Sequence, residues 1–335
     1  MRKRLLIALL MVVIVIAGTA CWLMGHGEQR PLEDLSLTEA MHSVYYAPQY
    51  VALHNNYFTD QGLNVHLQVA AGDAAGAAML STCQAEISLF SVEQAVLAMK
   101  QGDKLAPTAF ALLCQRDGSS LIARSPEPAG FDWQTLSGKA IIGGEPAHAS
   151  RLALDASLRE RDVLDAQVLD NVARSSAARV FANGTGDYVQ TLEPDTTALV
   201  EAGVGYLAAS LAGQARRLPL AAYHTTAQMI KEKPEVLQRF ANAITQAQRW
   251  MQSQPALEVA KAITPSFPGT ELVLLASAVE HYRRLGVWAT TPVIEPELVE
   301  HLQQLMIVTD RLERAVSSEQ LLNSTFAARA VESAK

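Results

Sequence analysis

The chain has 335 residues, 49% of them hydrophobic and 6% aromatic, which is enough for one large domain or two medium ones with real cores, so disorder is not the default. Its 27 Lys and Arg against 34 Asp and Glu give a net charge of -7, and after position 4 the basic residues stand singly or in pairs. With no basic stripe to neutralise phosphates, nucleic acid is not an expected partner.

Residues 1–24 read as a signal peptide or membrane anchor: Arg2, Lys3 and Arg4 precede an uncharged apolar run from Leu5 to Ala17 and then the small residues Gly18, Thr19 and Ala20. Three endings stay open. Gly18 and Ala20 suit an ordinary signal peptidase. Cys21 directly after Ala20 suits a lipoprotein whose cysteine is acylated, although Gly18 stands where such sites usually carry Leu. Leu5 to Met24, about 20 uncharged residues, also suffices to span a bilayer uncleaved. Each ending places the remainder outside the cytoplasm, with the positive residues inside. Cys83 and Cys114 sit in apolar surroundings and read as small buried hydrophobes, though an oxidising compartment allows them to pair.

From Leu35 onward strands and helices alternate. LSLTEA is a predicted strand, a short helix runs from Pro48 to Asn55, and LNVHLQV is a second strand. A small-residue helix from Asp73 to Ser81, a strand at EISLF, a helix from Val92 to Gln101 and the segments APTAFALLCQ and GSSLIAR complete one lobe. Pro, Gly and Ser make 125–138 a connection. A second alternation follows: KAIIGG, a helix from Ala149 to Arg161, AQVLDNV, a helix from Ala177 to Phe181, a strand near Tyr188, a helix after Pro194 and a strand near YLAAS. RLPLAAYHTT then crosses back, and from Ala227 the spacing is helical. The boundaries read 33–124 with 219–330 for the first lobe and 125–218 for the second. Strand–helix alternation of this kind predicts mostly parallel sheets, with a ligand cleft at the carboxyl ends of the strands.

The ordered set YYAPQYVALHNNYFTDQGLNV, CQAEISLF, QRDGSSLIAR, WQTLSGKAIIGGEP, GTGDYVQTLEP and LPLAAYHTT resembles the solute-binding proteins of nitrate, sulfonate, taurine and thiamine-pyrimidine importers, from Leu35 to Phe326. That resemblance implies a two-lobed α/β periplasmic-binding-protein fold (type II) with a helical C-terminal part. It also implies a small-molecule ligand, an ABC permease with its ATPase as partners, a monomeric chain and no cofactor. Met41 and His42 stand where the thiamine-pyrimidine branch often carries Trp.

Five loops are expected at the cleft. Met41, His42, Tyr45 and Tyr46 come from the first, where the tyrosines offer rings to stack on a flat ligand. Ser91 belongs to the third, where its spacing to Gln94 is equally that of a capping box. Gly144, His148 and Ser150 lie between a strand and a helix, a place where free N–H groups hold an anion or a carbonyl. Gly186, Asp187, Tyr188 and Glu193 complete the set. The loops hold Asp73, Glu93, Glu145, Asp187 and Glu193 and no Lys or Arg, so an acidic mouth favours a flat ring with exocyclic N–H donors, such as an aminopyrimidine, over a sulfonate. The histidines are dispersed and predict no metal site. Ser-elbow, P-loop and zinc-protease motifs are absent, which argues against an enzyme, while a membrane-held ligand sensor shares every feature.

Overall fold

The computed structural model describes residues 31–102, 106–127, 130–144, 149–213 and 217–334. The segment 1–24 with Cys21 lies outside the described residues, and so do Glu145 and His148. The first lobe runs β1 (Glu33–Glu39), α1 (Ala47–His54), β2 (Leu63–Val69), α2 (Asp73–Ser81), β3 (Ile87–Phe90), α3 (Val92–Lys100) and β4 (Thr108–Cys114). The second holds β5 (Ser120–Ala123), β6 (Ala140–Ile142), α4 (Ala149–Arg159), β7 (Gln167–Leu169), α5 (Arg174–Ala182), β8 (Tyr188–Thr191), α6 (Asp195–Glu201) and β9 (Tyr206–Ser210). The chain returns as β10 (Ala221–Thr225) and continues through α7 (Pro234–Ser253), α8 (Ala256–Ile263), α9 (Leu272–Leu285) and α10 (Pro296–Val308).

Two five-stranded sheets result, ordered β2-β1-β3-β10-β4 and β7-β6-β8-β5-β9. They are mixed rather than mostly parallel. β1 pairs parallel with β3, and β6 parallel with β7 and β8, as strand–helix–strand units require. β10 and β5 are antiparallel to both of their neighbours. The reason is their route: each enters its sheet from the other lobe, and so runs against strands whose carboxyl ends face that lobe. Ser120–Ala123, assigned to the first lobe from its sequence, therefore pairs within the second sheet, and the change of sheet falls at 115–119 rather than at Ser125.

The two crossings, 115–119 and 211–220, are bonded to each other. Leu211 N donates to Ser119 O at 3.0 Å, Leu218 N to Gln115 O at 2.8 Å and Leu220 N to Cys114 O at 3.1 Å. Gly118 is needed here because a Cβ would stand 2.8 Å from the Tyr45 ring and 2.9 Å from that of Tyr282.

Alternation of apolar residues gives the first sheet a core on each face. Leu35, Leu37, Ile87, Leu89 and Tyr223 pack under α1 and α7, while Phe90, Ala109, Leu112 and Ala222 pack on the other side. Helix α7 buries Val236, Leu237, Phe240, Ala241, Ile244 and Met251, the three-and-four spacing of one apolar stripe, and Pro234 opens it where no N–H partner is lost. Each such Leu or Phe contributes about 1.5–3 kcal/mol. His224 on β10 is fully buried and stacked 3.9 Å from Phe90, and burial pushes its pKa down from 6.5 to about 3. Cys114 belongs to the core and donates to Tyr45 O, whereas Cys83 is exposed at a turn with φ 57, so the two are unpaired and only one is a buried hydrophobe.

Helix α4 serves both lobes. Ala153, Leu154 and Leu158 enter the second lobe's core, and Leu152 and Ala156 pack with Leu298, Val299 and Leu302 of α10. Ion pairs flank that seam: Arg311 reaches Glu93 at 2.7 Å and Asp155 at 3.0 Å, and Arg159 reaches Asp310 at 2.9 Å. Among the described residues no helix is long and apolar enough to cross a membrane.

Candidate ligand cleft

Strands β1, β2 and β8 end at Glu39, Val69 and Thr191, and the loops that follow them face one another across a cavity of about 680 Å³. The first lobe lines it with Ala40–Ser43, Ala70–Gly72 and Phe267, the second with Ala173–Ser175 and Gln190–Asp195. At its inner end a space of about 30 Å³ is bounded by Tyr45, Tyr46, Asp73, Asp117, Ser150 and Arg174. Carboxyl ends of strands collect ligand loops because the preceding βα units leave open backbone there.

The first lobe's wall is internally bonded. Glu39, fully buried, accepts from Gln49 Nε2 at 2.7 Å, Tyr50 OH at 2.7 Å and His42 Nδ1 at 2.9 Å. Burial raises its carboxyl above the usual range, and the His42, Tyr50 and Gln49 hydrogen bonds oppose that rise. His42 Nε2 lies 2.6 Å from Ser266 O, and its ring packs 4.8 Å from Phe267. Met41 and His42 thus line the cleft, and Phe267, some 225 residues later, joins them. Tyr45 and Tyr46 reach the inner end, but neither is a free stacking platform. Tyr45 donates to Arg116 O at 2.8 Å and meets Tyr282 edge-on, and both tyrosines are almost wholly buried.

The second lobe presents polar groups without partners. Helix α5 begins at Arg174, with Ala173 as an N-cap that offers no side-chain acceptor. The Arg174 guanidinium borders both the wide cleft and its inner end, and its buried Nε and Nη2 have no hydrogen-bond partner. Gln190 Nε2 donates to Ser119 Oγ at 2.8 Å and to Ser150 O at 2.7 Å, which leaves Oε1 buried and unpartnered. Asp117, on the crossing, accepts from Ser119 N at 2.7 Å. Burial raises its carboxyl, opposed by the Ser119 hydrogen bonds and the Arg174 charge. Ser150 borders the inner end. Gly144 adopts φ 68 and lies near Arg174, whose Nη2 would be 3.7 Å from a Cβ there. Its carbonyl accepts from Arg151 Nη1 at 3.1 Å.

The expected acidic mouth forms with altered membership: Asp73, Asp117, Glu193 and Asp195 border the two spaces beside Arg174, and Glu93 does not. Glu93 is ion-paired with Arg311. Asp73 accepts from Ser91 Oγ at 2.7 Å, and the same hydroxyl accepts from Gln94 N at 3.4 Å, so Ser91 is the N-cap of α3 and not a cleft residue. Glu193 borders the cleft, yet its carboxylate is bound to His281 Nδ1 and accepts from Thr197 N at 3.2 Å. Gly186, Asp187 and Tyr188 sit at the amino end of β8, the wrong edge of the sheet. There Gly186 O accepts from Arg124, Asp187 Oδ2 from Ala140 N at 2.9 Å, and Tyr188 donates to Glu127. Strand β8 runs from Tyr188 to Thr191, so its length puts them at the end opposite the loop that lines the cleft. Arg174, which borders both spaces, is a cleft residue that the sequence reading missed. Its signal was present, since Ala-Arg-Ser-Ser precedes the apolar turn of α5, but a helix started at Ala177 leaves it in no loop.

Similarity to known proteins agrees with this architecture. A family described as NMT1/THI5 like matches residues 43–257. A protein of Bacillus subtilis (strain 168) described as a binding protein, YtlA, is 27% identical over 304 residues, which is 90% of each chain. Among solved structures, the alkanesulfonate-binding protein SsuA of Xanthomonas axonopodis pv. citri superposes with a TM-score of 0.69 at 13% identity, covering 87% of this chain and 98% of that one. The nitrate-binding protein NrtA of Synechocystis PCC 6803 gives 0.70 at 13% identity, covering 90% and 89%. At such identities these structures establish the two-lobed fold.

Proposed function

Because this chain belongs to the NMT1/THI5-like family, we propose that it is the extracytoplasmic solute-binding subunit of an ABC importer and that its solute is a small organic anion held on Arg174. One observation carries the choice of ligand: a guanidinium in the cleft whose buried Nε and Nη2 lack partners. Burying such a group unpaired is costly, and a carboxylate or sulfonate offers it two oxygens in matching geometry. The unfilled N-terminus of α5 adds a smaller attraction of the same sign. A count of loop acids favours an aminopyrimidine, but Glu93 is ion-paired with Arg311 and Glu193 is hydrogen-bonded to His281, so neither carboxylate is free for a ligand donor.

Binding needs no chemistry. The lobes swing about the paired crossings, the anion bridges them, and the closed form is presented to the permease, with the N-terminal segment keeping the protein at the outer face of the membrane. Micromolar affinity, about -8 kcal/mol, is within reach of one bidentate arginine contact, a few hydrogen bonds and the exclusion of water. A thermal-shift panel on the full chain in detergent tests the assignment, with alkanesulfonates and short carboxylates set against hydroxymethylpyrimidine and thiamine. Stabilisation by the anions is expected. Stabilisation by the pyrimidines alone would overturn it.

A further inference from the structure

The segment that carries Phe267 into the cleft is held by two histidines. It follows the turn Thr264–Ser266 between α8 and α9, where His54 Nε2 lies 2.7 Å from Ser266 Oγ and His42 Nε2 lies 2.6 Å from Ser266 O. The two contacts differ in kind. A hydroxyl both donates and accepts, so the His54 contact suits a neutral ring, and burial, which pushes the His54 pKa down, keeps that ring neutral. A carbonyl only accepts, so His42 Nε2 must carry a proton. Three contacts around His42 then need three protons: Nε2 to Ser266 O, Nδ1 to Glu39 Oε1 at 2.9 Å, and Tyr50 OH to Glu39 Oε2 at 2.7 Å. Tyr50 brings one, because burial and the Glu39 charge push its hydroxyl well above the usual phenol range. A neutral His42 brings the second. The third is an extra proton shared by His42 and Glu39. Turning the Tyr50 hydroxyl to Nδ1, 3.1 Å away, does not replace it, because Glu39 Oε2 then loses its own donor. Burial, which raises the Glu39 carboxyl, favours keeping that proton. Without it a lone pair of His42 faces either the carboxylate or Ser266 O, and one of the two bonds is lost.

We propose that His42 and Glu39 are positioning residues of the ligand cleft: the proton they share clasps the Phe267 segment to the first loop, and its loss loosens that wall. Resting on the reading of this cavity as an anion site, the clasp adds a sense of pH to it. Binding is tight while the pair holds its proton and falls as pH rises and the proton leaves. His42 and Phe267 line the same cavity, with their rings 4.8 Å apart, so a shift of the segment is felt directly by a ligand. Tyr50 meets the same His42 ring from α1, at 5.2 Å. Across the cavity stand Arg174, Asp195 and Glu193, the last already bound to His281.

Two readouts on the full chain separate the clasp from the ligand assignment. In nitrogen NMR of the eight histidines, the His42 signals are identified by their loss in His42→Gln. They should show Nε2 protonated at about pH 6 and should move through one titration step before about pH 9. Calorimetric titration with hexanesulfonate, whose own charge is constant over this range, should give an affinity at least about tenfold weaker at the higher pH. Glu39→Gln is the decisive variant. Its amide oxygen still accepts from Gln49 and Tyr50, and its N–H donates to a neutral Nδ1, so the clasp needs no extra proton. Binding at the higher pH should recover, with the fall shrinking to less than about threefold. His54→Ala, by contrast, should weaken binding equally at both pH values. A fall left intact in Glu39→Gln would put the responsible proton elsewhere and overturn the proposal while leaving the anion site standing. If hexanesulfonate binds at neither pH, the anion reading falls, and His42 signals that stay fixed across the range would overturn the clasp with it.

Discussion

The two walls of the cleft are built on opposite terms. On the first lobe His42, Tyr45 and Asp73 at the ligand space are bonded to the protein: His42 to Glu39 and Ser266, Tyr45 to Arg116, Asp73 to Ser91. On the second, Arg174 and Gln190 hold buried atoms with nothing to bond. Satisfied networks stiffen a wall and fix its shape, whereas unsatisfied groups store the interaction that a ligand will supply. On the proposed reading, the first lobe supplies shape and Arg174 of the second supplies recognition.

Four measurements would break or sharpen that contrast. Arg311→Ala, on the satisfied side, leaves buried Glu93 without its cation and should lower unfolding free energy by about 3–5 kcal/mol, with anion affinity in the folded protein within about threefold of the parent. Chemical denaturation reads the first quantity and calorimetry the second; a small stability loss would mean that Glu93 is protonated rather than paired, consistent with burial raising its carboxyl. Arg174→Ala should show the reverse, an affinity loss of about 100-fold, or about 2.7 kcal/mol, with the melting temperature little changed. If melting fell sharply instead, the guanidinium would be structural and the contrast lost.

Acid provides the third test. Because the pKa of His224 is depressed from 6.5 to about 3, the folded chain binds fewer protons than the unfolded one between those values. Its contribution is complete above pH 6.5 and declines as pH falls toward 3, by about 1.4 kcal/mol per pH unit. Denaturation curves at pH 7, 5.5 and 4.5 should follow that slope, and His224→Leu should flatten it; an unchanged acid limb in the variant would refute the assignment. The smallest effect is expected of Tyr45→Phe, which removes one neutral hydrogen bond to Arg116 O and should cost about 1 kcal/mol of stability while altering anion affinity less than about twofold. A large affinity loss would return Tyr45 to the ligand.

Local pattern made most of the fold legible. Asp73–Ser81 and Val92–Lys100 follow the helical spacing read from the sequence nearly to the residue, and the alternating strands sit where their apolar residues place them. What local pattern lacks is a partner's address. Nothing in GSSLIAR says that it pairs with β8 and β9 rather than with β4, since any apolar strand fills a central position. The site failed for the same reason. Glu93 and Glu193 are acids near strand ends, but Arg311 and His281, which bind them, are supplied from 218 and 88 residues away. A charge count over loops sees the acids and misses the partners that fold onto them.

Helix α4, with one apolar face in each lobe, carries a consequence for how the molecule comes apart. Separating the lobes completely would strip Leu152 and Ala156 from Leu298, Val299 and Leu302, so neither half can be dissected out without exposing a hydrophobic scar. Heating should therefore give one calorimetric peak in place of two, and 120–210 expressed by itself should aggregate. The two lobes are mechanically distinct but thermodynamically a single foldon.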